Sequence, residues 1–269
     1  MPRFLCLALV LALSACQPPD DAPATDASST PNDVLHTTGE NALTAALEAR
    51  ISEAEAAGGR VRRAAFVVTE TVYNSELMAP YDVFQHTIYR DEMDYIEPFV
   101  VSVDGGPVTT SEGLRVEAHY SYDDAPPVDI VVIPSTEGSM SRDLEDDAYM
   151  ETLERMIEEA EWVITVCDGA FPLAKTGVLN GRQATTFPGD REALAMLFPE
   201  IEVREDVRLV VDGKYVTSVG GAMSYEPAFW LVERLWGAER VAGNAEGLVW
   251  PWDLETLPHI VVNRDAALQ

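Results

Sequence analysis

The chain has 269 residues, 47% of them apolar, and a formal charge of −28 from 46 acidic against 18 basic side chains. That length holds one α/β domain of roughly 200 to 230 residues, with a full core and some appendages. The charge argues against nucleic acid and an anionic bilayer surface as partners, because both need a basic footprint, and it reads as a solvated acidic surface.

At the N-terminus, Arg3 supplies one positive charge ahead of an apolar run over 4–13 that is too short to span a bilayer. Leu13, Ser14, Ala15 and Cys16 follow. This tetrapeptide resembles the lipobox of bacterial lipoproteins, which implies that 1–16 is a signal peptide whose cysteine, Cys16, becomes lipidated. The N-terminal lipid is then the expected membrane contact, and the expected location is the cell envelope, extracytoplasmic. In a diderm bacterium, Gln17 rather than Asp after the cysteine implies the periplasmic face of the outer membrane. Residues 17–39, rich in Pro, Asp, Ala, Ser and Thr, bury almost nothing and read as a disordered tether. Over 40–59 the pattern turns helical, with Leu43, Ala46, Leu47 and Ile51 along one face and Gly58 and Gly59 as a stop.

The domain proper is expected over 60–240. Its first strand lies in 64–68, and a helix over 76–89 starts around Leu77 with Pro80 in its first turn. Extended segments follow at 99–103 and 114–120, suggesting a hairpin inserted on the sheet, and then a strongly apolar strand at 128–133. An acidic amphipathic helix over 144–160 leads into a strand at 162–166. Further on come a short helix at 190–198, two strands at 207–211 and 214–219 turned by Asp212 and Gly213, and an apolar helix at 223–236. The tail, 241–269, holds Trp250, Pro251 and Trp252; it reads as a C-terminal strap over the core, with ligand binding by the aromatics as the alternative. Alternation of strands and helices predicts an α/β fold: three layers, doubly wound, a mostly parallel sheet with helices on both faces and its sites beyond the carboxyl ends of the strands. The four histidines are scattered, and no metal site or cofactor is expected.

Cys167 ends the strand at 162–166 and opens a helix, with the small residues Thr165 and Gly169 two positions to either side. This is a nucleophile-elbow pattern with Cys in place of Ser, and a thiol at a helix start is favoured as thiolate. Cys6 falls in the removable segment and Cys16 carries lipid, so Cys167 is the expected free thiol of the mature domain and no internal disulfide is expected.

Three segments carry a resemblance to the ThiJ/PfpI family, relatives of the class I glutamine amidotransferase domains, over roughly 61–237. They are 166–186, with Cys167, the run Gly177 to Arg182 and Ala184-Thr185-Thr186; 216–237, with Gly220 and Gly221; and 76–84, opening on Glu76. The resemblance implies a flavodoxin-like, class I glutamine amidotransferase-like fold. It also implies that Glu76 lies beside the thiol as acid or base, where burial raises its pKa into a useful range; from the residues alone, a Glu there is more often a helix cap. Ser135 and Thr136 replace the family's two glycines after Pro134, and with Gly169 they are the expected oxyanion or substrate pocket. Two departures stand out: Phe187 occupies the position where many catalytic members have histidine, and Asp168 puts a carboxylate next to the thiol. Either Asp168 acts as a proton carrier or the thiol is less reactive than those of its relatives.

The function these features imply is hydration or hydrolysis of a small electrophile, isonitrile-hydratase-like or glyoxalase/deglycase-like, with Cys167 as nucleophile and Glu76 and Asp168 as proton carriers. The alternative is a non-catalytic ligand-binding or redox-sensing module that keeps the pocket. The expected partners are a small molecule and, by analogy with relatives, a second copy in a homodimer.

Overall fold

The computed structural model describes residues 42–262, so the expected signal peptide with Cys16 and the expected tether lie outside the described residues. The chain runs through α1 (Ala42–Ala56), β1 (Arg60–Val67), α2 (Asn74–Gln85), β2 (Asp94–Ser102), β3 (Val108–Thr109), β4 (Arg115–Val116), β5 (Tyr120–Ser121), β6 (Ile130–Ile133) and α3 (Asp147–Glu159). It continues through β7 (Trp162–Val166), α4 (Ala170–Lys175), β8 (Gln183–Ala184), α5 (Arg191–Leu197), β9 (Glu202–Val203), β10 (Leu209–Asp212), β11 (Tyr215–Ser218), α6 (Tyr225–Trp236), α7 (Ala238–Gly247) and β12 (His259–Val262).

Eight strands form one sheet in the order β12-β10-β11-β7-β6-β1-β2-β5, parallel at every junction except that of β10 with β11. Side chains alternate between its faces. Val61, Ala65, Val131, Ile133 and Val163 point to one side, where they join Leu47 of α1, Leu153 of α3 and Phe171 of α4. Ala64, Phe66, Ile130, Val132 and Ile164 point to the other, against Leu77 of α2, Phe229 of α6 and Val241 of α7. Burial on both faces is why the central strands read as continuous apolar runs rather than as alternating ones. The result is the three-layer, doubly wound, mostly parallel class.

Several local expectations change. In α1 the buried residues are Leu47, Ile51 and Ala54, while Leu43 is 45% exposed. The helix is rotated so that Arg50 can grip the buried Glu97 of β2 through Nε and Nη2. Helix α2 begins three residues before Leu77, so Pro80 lies inside it rather than in its first turn. The ring can donate no hydrogen bond to the Glu76 carbonyl four residues back.

The predicted hairpin is a separate two-stranded sheet of β3 and β4, and only β5 joins the main sheet, pairing with Val101 and Ser102. Pro98 thus lies in a stretch of β2 beyond that pairing, where a missing N–H costs little. Beside it, His119 completes the strand's edge. Its backbone N–H donates to the Val100 carbonyl at 2.8 Å and its Nδ1 accepts the Val100 N–H at 3.1 Å. Burial holds this imidazole down to about 4, in keeping with a ring nitrogen that accepts a hydrogen bond.

The predicted helix over 144–160 is split: Asp146 caps α3 by accepting the Tyr149 N–H at 3.1 Å, which leaves a separate single turn over Arg142–Glu145. The tail is more than a strap. Helix α7 runs across the expected boundary at 240, and β12 adds an edge strand in parallel register with β10. Between them Trp250 stacks on Tyr225 at 4.7 Å, and Trp252 stacks on Phe229 at 5.4 Å while donating to Glu233 at 2.6 Å. The aromatics are therefore engaged in packing.

Candidate active site

Parallel strands of matched register end together, and their following loops meet at one edge. Phe66 pairs with Val132, Ile133 with Thr165, and Val166 with Ser218. The loops after β1, β6, β7 and β11 therefore bring Glu76, Ser135, Cys167 and Gly220 together at the carboxyl end of the sheet.

Cys167 adopts φ +56°, the left-handed region that costs a residue with a side chain about 1–2 kcal/mol. The surroundings impose it. A Cβ on Gly169 would come within 2.0 Å of the Ile133 carbonyl, and one on Gly220 within 2.3 Å of the Cys167 Cβ, so the elbow fits only against two glycines. Thr186 Oγ1 donates to the Cys167 carbonyl at 2.9 Å and also reaches Asp168 Oδ1 at 2.9 Å, tying the strained turn from the far side. Beneath it, Ser218 Oγ donates to the Thr165 carbonyl at 3.0 Å.

Glu76 sits in the first turn of α2 but does not cap it; Tyr73 is at the N-cap, and the Glu76 side chain turns inward. It is 4% exposed. Gly221 N–H donates to Oε1 at 3.3 Å, and Oε2 is buried without a hydrogen-bond partner among the described residues. The thiol is close enough to couple its ionisation to this carboxyl, although the contact falls short of an aligned hydrogen bond. Burial pushes Glu76 up to about 7, against the opposing pull of the thiol and of the Gly221 and Ser135 N–H groups. The Cys167 thiol is driven well above its ordinary range, first by burial and then by the negative charges of Glu76 and Asp168, while the Asp168 N–H acts in the other direction. Burial also raises Asp168 to about 6, with Thr186 holding it down and Asp190 pushing it up. Near neutrality, then, the thiol keeps its proton and Glu76 is close to half-ionised.

The expected oxyanion donors are arranged differently. Thr136 N–H donates to Ser139 Oγ at 2.9 Å, so this backbone donor is engaged within the protein, while the Ser135 N–H faces Glu76 and pulls its pKa down. The cause lies in the side chains that replace glycine. Thr136 Oγ1 bonds to the buried Asp143, which also receives Thr69 Oγ1 at 3.1 Å, and this folds the loop back on itself. Gly169 is buried under the elbow against Ile133, and its part is steric. Phe187 is 43% exposed directly after Thr186. A cavity of about 180 Å³ lies away from the thiol, lined by Leu77, Met78, Tyr81, Val100, Val116 and His119 among others.

Sequence reasoning does not single out Tyr73, Thr186, Asp190 or the Gly220-Gly221 pair as site residues. Thr186 and the glycines stand inside the segments that carry the family resemblance, so a signal exists for them. Tyr73 and Asp190 carry none, because only the fold brings them near residues 167 and 168.

The family model described as the DJ-1/PfpI family matches residues 62–234. An isonitrile hydratase from Pseudomonas putida is 28% identical over 174 residues, covering 65% of this chain and 72% of that protein. The deglycase PfpI from Pyrococcus furiosus is 30% identical over 145 residues, 53% of this chain and 81% of that protein. Among solved structures, a ThiJ/PfpI family protein from Pseudomonas syringae superposes with a TM-score of 0.64 at 20% identity, covering 72% of this chain and 77% of that one.

Proposed function

The chain belongs to the DJ-1/PfpI family, and from that premise we propose that it hydrates or hydrolyses a small electrophilic carbon, with Cys167 as nucleophile and Glu76 as proton carrier. The observation that carries this reading is a buried carboxyl at about 7 coupled to a thiol on a strained elbow. As the sulfur lone pair forms the S–C bond, the thiol proton passes to the Glu76 carboxylate and from there to the substrate atom that receives the displaced electron pair. With an isonitrile, the substrate class in the name of the Pseudomonas putida relative, this gives a thioimidate. Water then adds to the same carbon, the S–C electrons return to sulfur with a proton, and an N-substituted formamide leaves. Asp168, at about 6, is a second carboxyl able to relay protons to water.

The test is turnover of a small alkyl isonitrile and of a reactive aldehyde by purified protein and by Cys167→Ala. At least a thousandfold loss in the variant is expected; unchanged turnover overturns the proposal. A second reading, a ligand-binding or redox-sensing module, is supported by the engaged Thr136 N–H and by a thiol only 6% exposed. Specific, saturable oxidation of Cys167 with no turnover of either compound selects it.

We further propose that Cys16 is lipidated and holds the domain in the envelope, and that the domain dimerises. Incorporation of an alkyne fatty acid that persists in Cys16→Ala rules out the first. A monomeric mass in light scattering rules out the second.

A further inference from the structure

We infer that the molecule acted on by Cys167 carries a positive charge. This rests on the proposed function and specifies its substrate class. The charges acting most strongly on the thiol are those of Glu76 and Asp168, both negative. Asp168 in turn feels Asp190, with no cation among the groups that shift it. Tyr73, half-buried beside the same thiol, is pushed up by burial and then by Glu137, Cys167, Glu76 and Asp168. Glu137 is exposed, and its Oε1 is anchored by Ser111 Oγ at 2.6 Å. Two guanidiniums stand on or beside these loops and both are engaged: Arg142 with Asp143 at 3.1 Å and the Glu70 carbonyl at 3.0 Å, and Arg191 with Thr185 Oγ1 at 3.2 Å and the Glu205 and Val207 carbonyls at 2.6 and 2.8 Å.

Two carboxyls thus flank the thiol, with Asp190 behind Asp168 and Glu137 beyond Tyr73, and one of the flanking oxygens, Glu76 Oε2, is buried without a hydrogen-bond partner among the described residues. A group in that position is satisfied by a hydrogen-bond donor, and best by a charged one. An anionic substrate would have to enter against Asp168 and the ionised fraction of Glu76, whereas a cation is drawn in. The cation also supplies what the protein omits. Within about 4–6 Å of a thiol, a positive charge favours the thiolate, so the ligand itself relieves the proton affinity that burial and the carboxyls impose. Ammonium, amidinium and quaternary ammonium groups on a small electrophile meet this description.

Three methanethiosulfonates of similar size but different charge test it: 3,3-dimethylbutyl (neutral), 2-(trimethylammonium)ethyl (cationic) and 2-sulfonatoethyl (anionic). Rates of Cys167 modification in the native protein are measured by mass spectrometry and normalised to glutathione. The cationic reagent is expected to outpace the anionic one by at least tenfold in low salt, with the ratio shrinking as salt is raised and falling at least twofold in Glu137→Gln. If the neutral reagent modifies Cys167 and the two charged ones react alike, or the anionic one faster, the charge inference is wrong while a reactive cysteine stands. If the neutral reagent labels Cys167 only after unfolding, the nucleophile reading falls and this inference with it.

Discussion

Replacing Glu76 by Gln isolates the energetic cost of the site's central feature. The folded carboxyl holds its proton up to about 7, against 4.5 when unfolded, because burial opposes its charge. Between those values the folded state binds more protons than the unfolded one, so the wild-type protein loses stability as pH rises, by up to about 1.4 kcal/mol per pH unit. By pH 8 the accumulated cost is about 3 kcal/mol, and below pH 4 it is absent. Glutamine has the same shape, stays neutral throughout and can still accept the Gly221 N–H through its carbonyl. Urea unfolding of both proteins at pH 4, 6 and 8 should therefore show near-equal stability at pH 4 and a growing advantage for Glu76→Gln, up to about 3 kcal/mol at pH 8. A difference that stays flat across this range, or that turns against glutamine as pH rises, refutes the reasoning: it would mean that the surrounding N–H groups outweigh burial and the carboxylate is the comfortable state.

The same titration should govern catalysis: kcat/KM for the isonitrile is expected to rise as pH increases through about 7, since only ionised Glu76 can take the thiol proton, and a profile that falls over pH 6–8 contradicts that role. The elbow strain predicts an inversion of a usual rule. Because residue 167 sits at φ +56°, Cys167→Gly should be more stable than Cys167→Ala by about 1 kcal/mol, although glycine is the poorer residue in most ordered positions. Equal or reversed stabilities in chemical denaturation would mean that the turn relaxes out of the left-handed region.

The site is built on opposition. A thiol at a helix start is expected to ionise readily, yet here burial and two neighbouring carboxyls act more strongly in the other direction. Thr186 shows how one residue can serve both geometry and charge: its single hydroxyl proton is shared between the carbonyl of the strained turn and the Asp168 carboxyl, which it holds down.

The features legible in the amino-acid order are those encoded by near neighbours. The apolar runs before Ser135 and before Cys167 require buried strands, the spacing of Met150, Leu153 and Ile157 requires a helix face, and Cys167 followed by Gly169 requires a sharp turn. Strand and helix periodicity are local properties, so the doubly wound class follows from them. Proximity between residues far apart in the chain is not local. Only packing brings Gly220 so near Cys167 that no side chain fits between them, and only packing buries Glu76 deeply enough to reach about 7. It also joins Thr136 to Asp143 and Ser139 so that the expected backbone donor turns inward, and it recruits β12 to the edge of β10. Hydrogen-bond partners, desolvation and charge coupling depend on distances of a few ångströms between segments, and those distances come into being only when the sheet registers and the layers close.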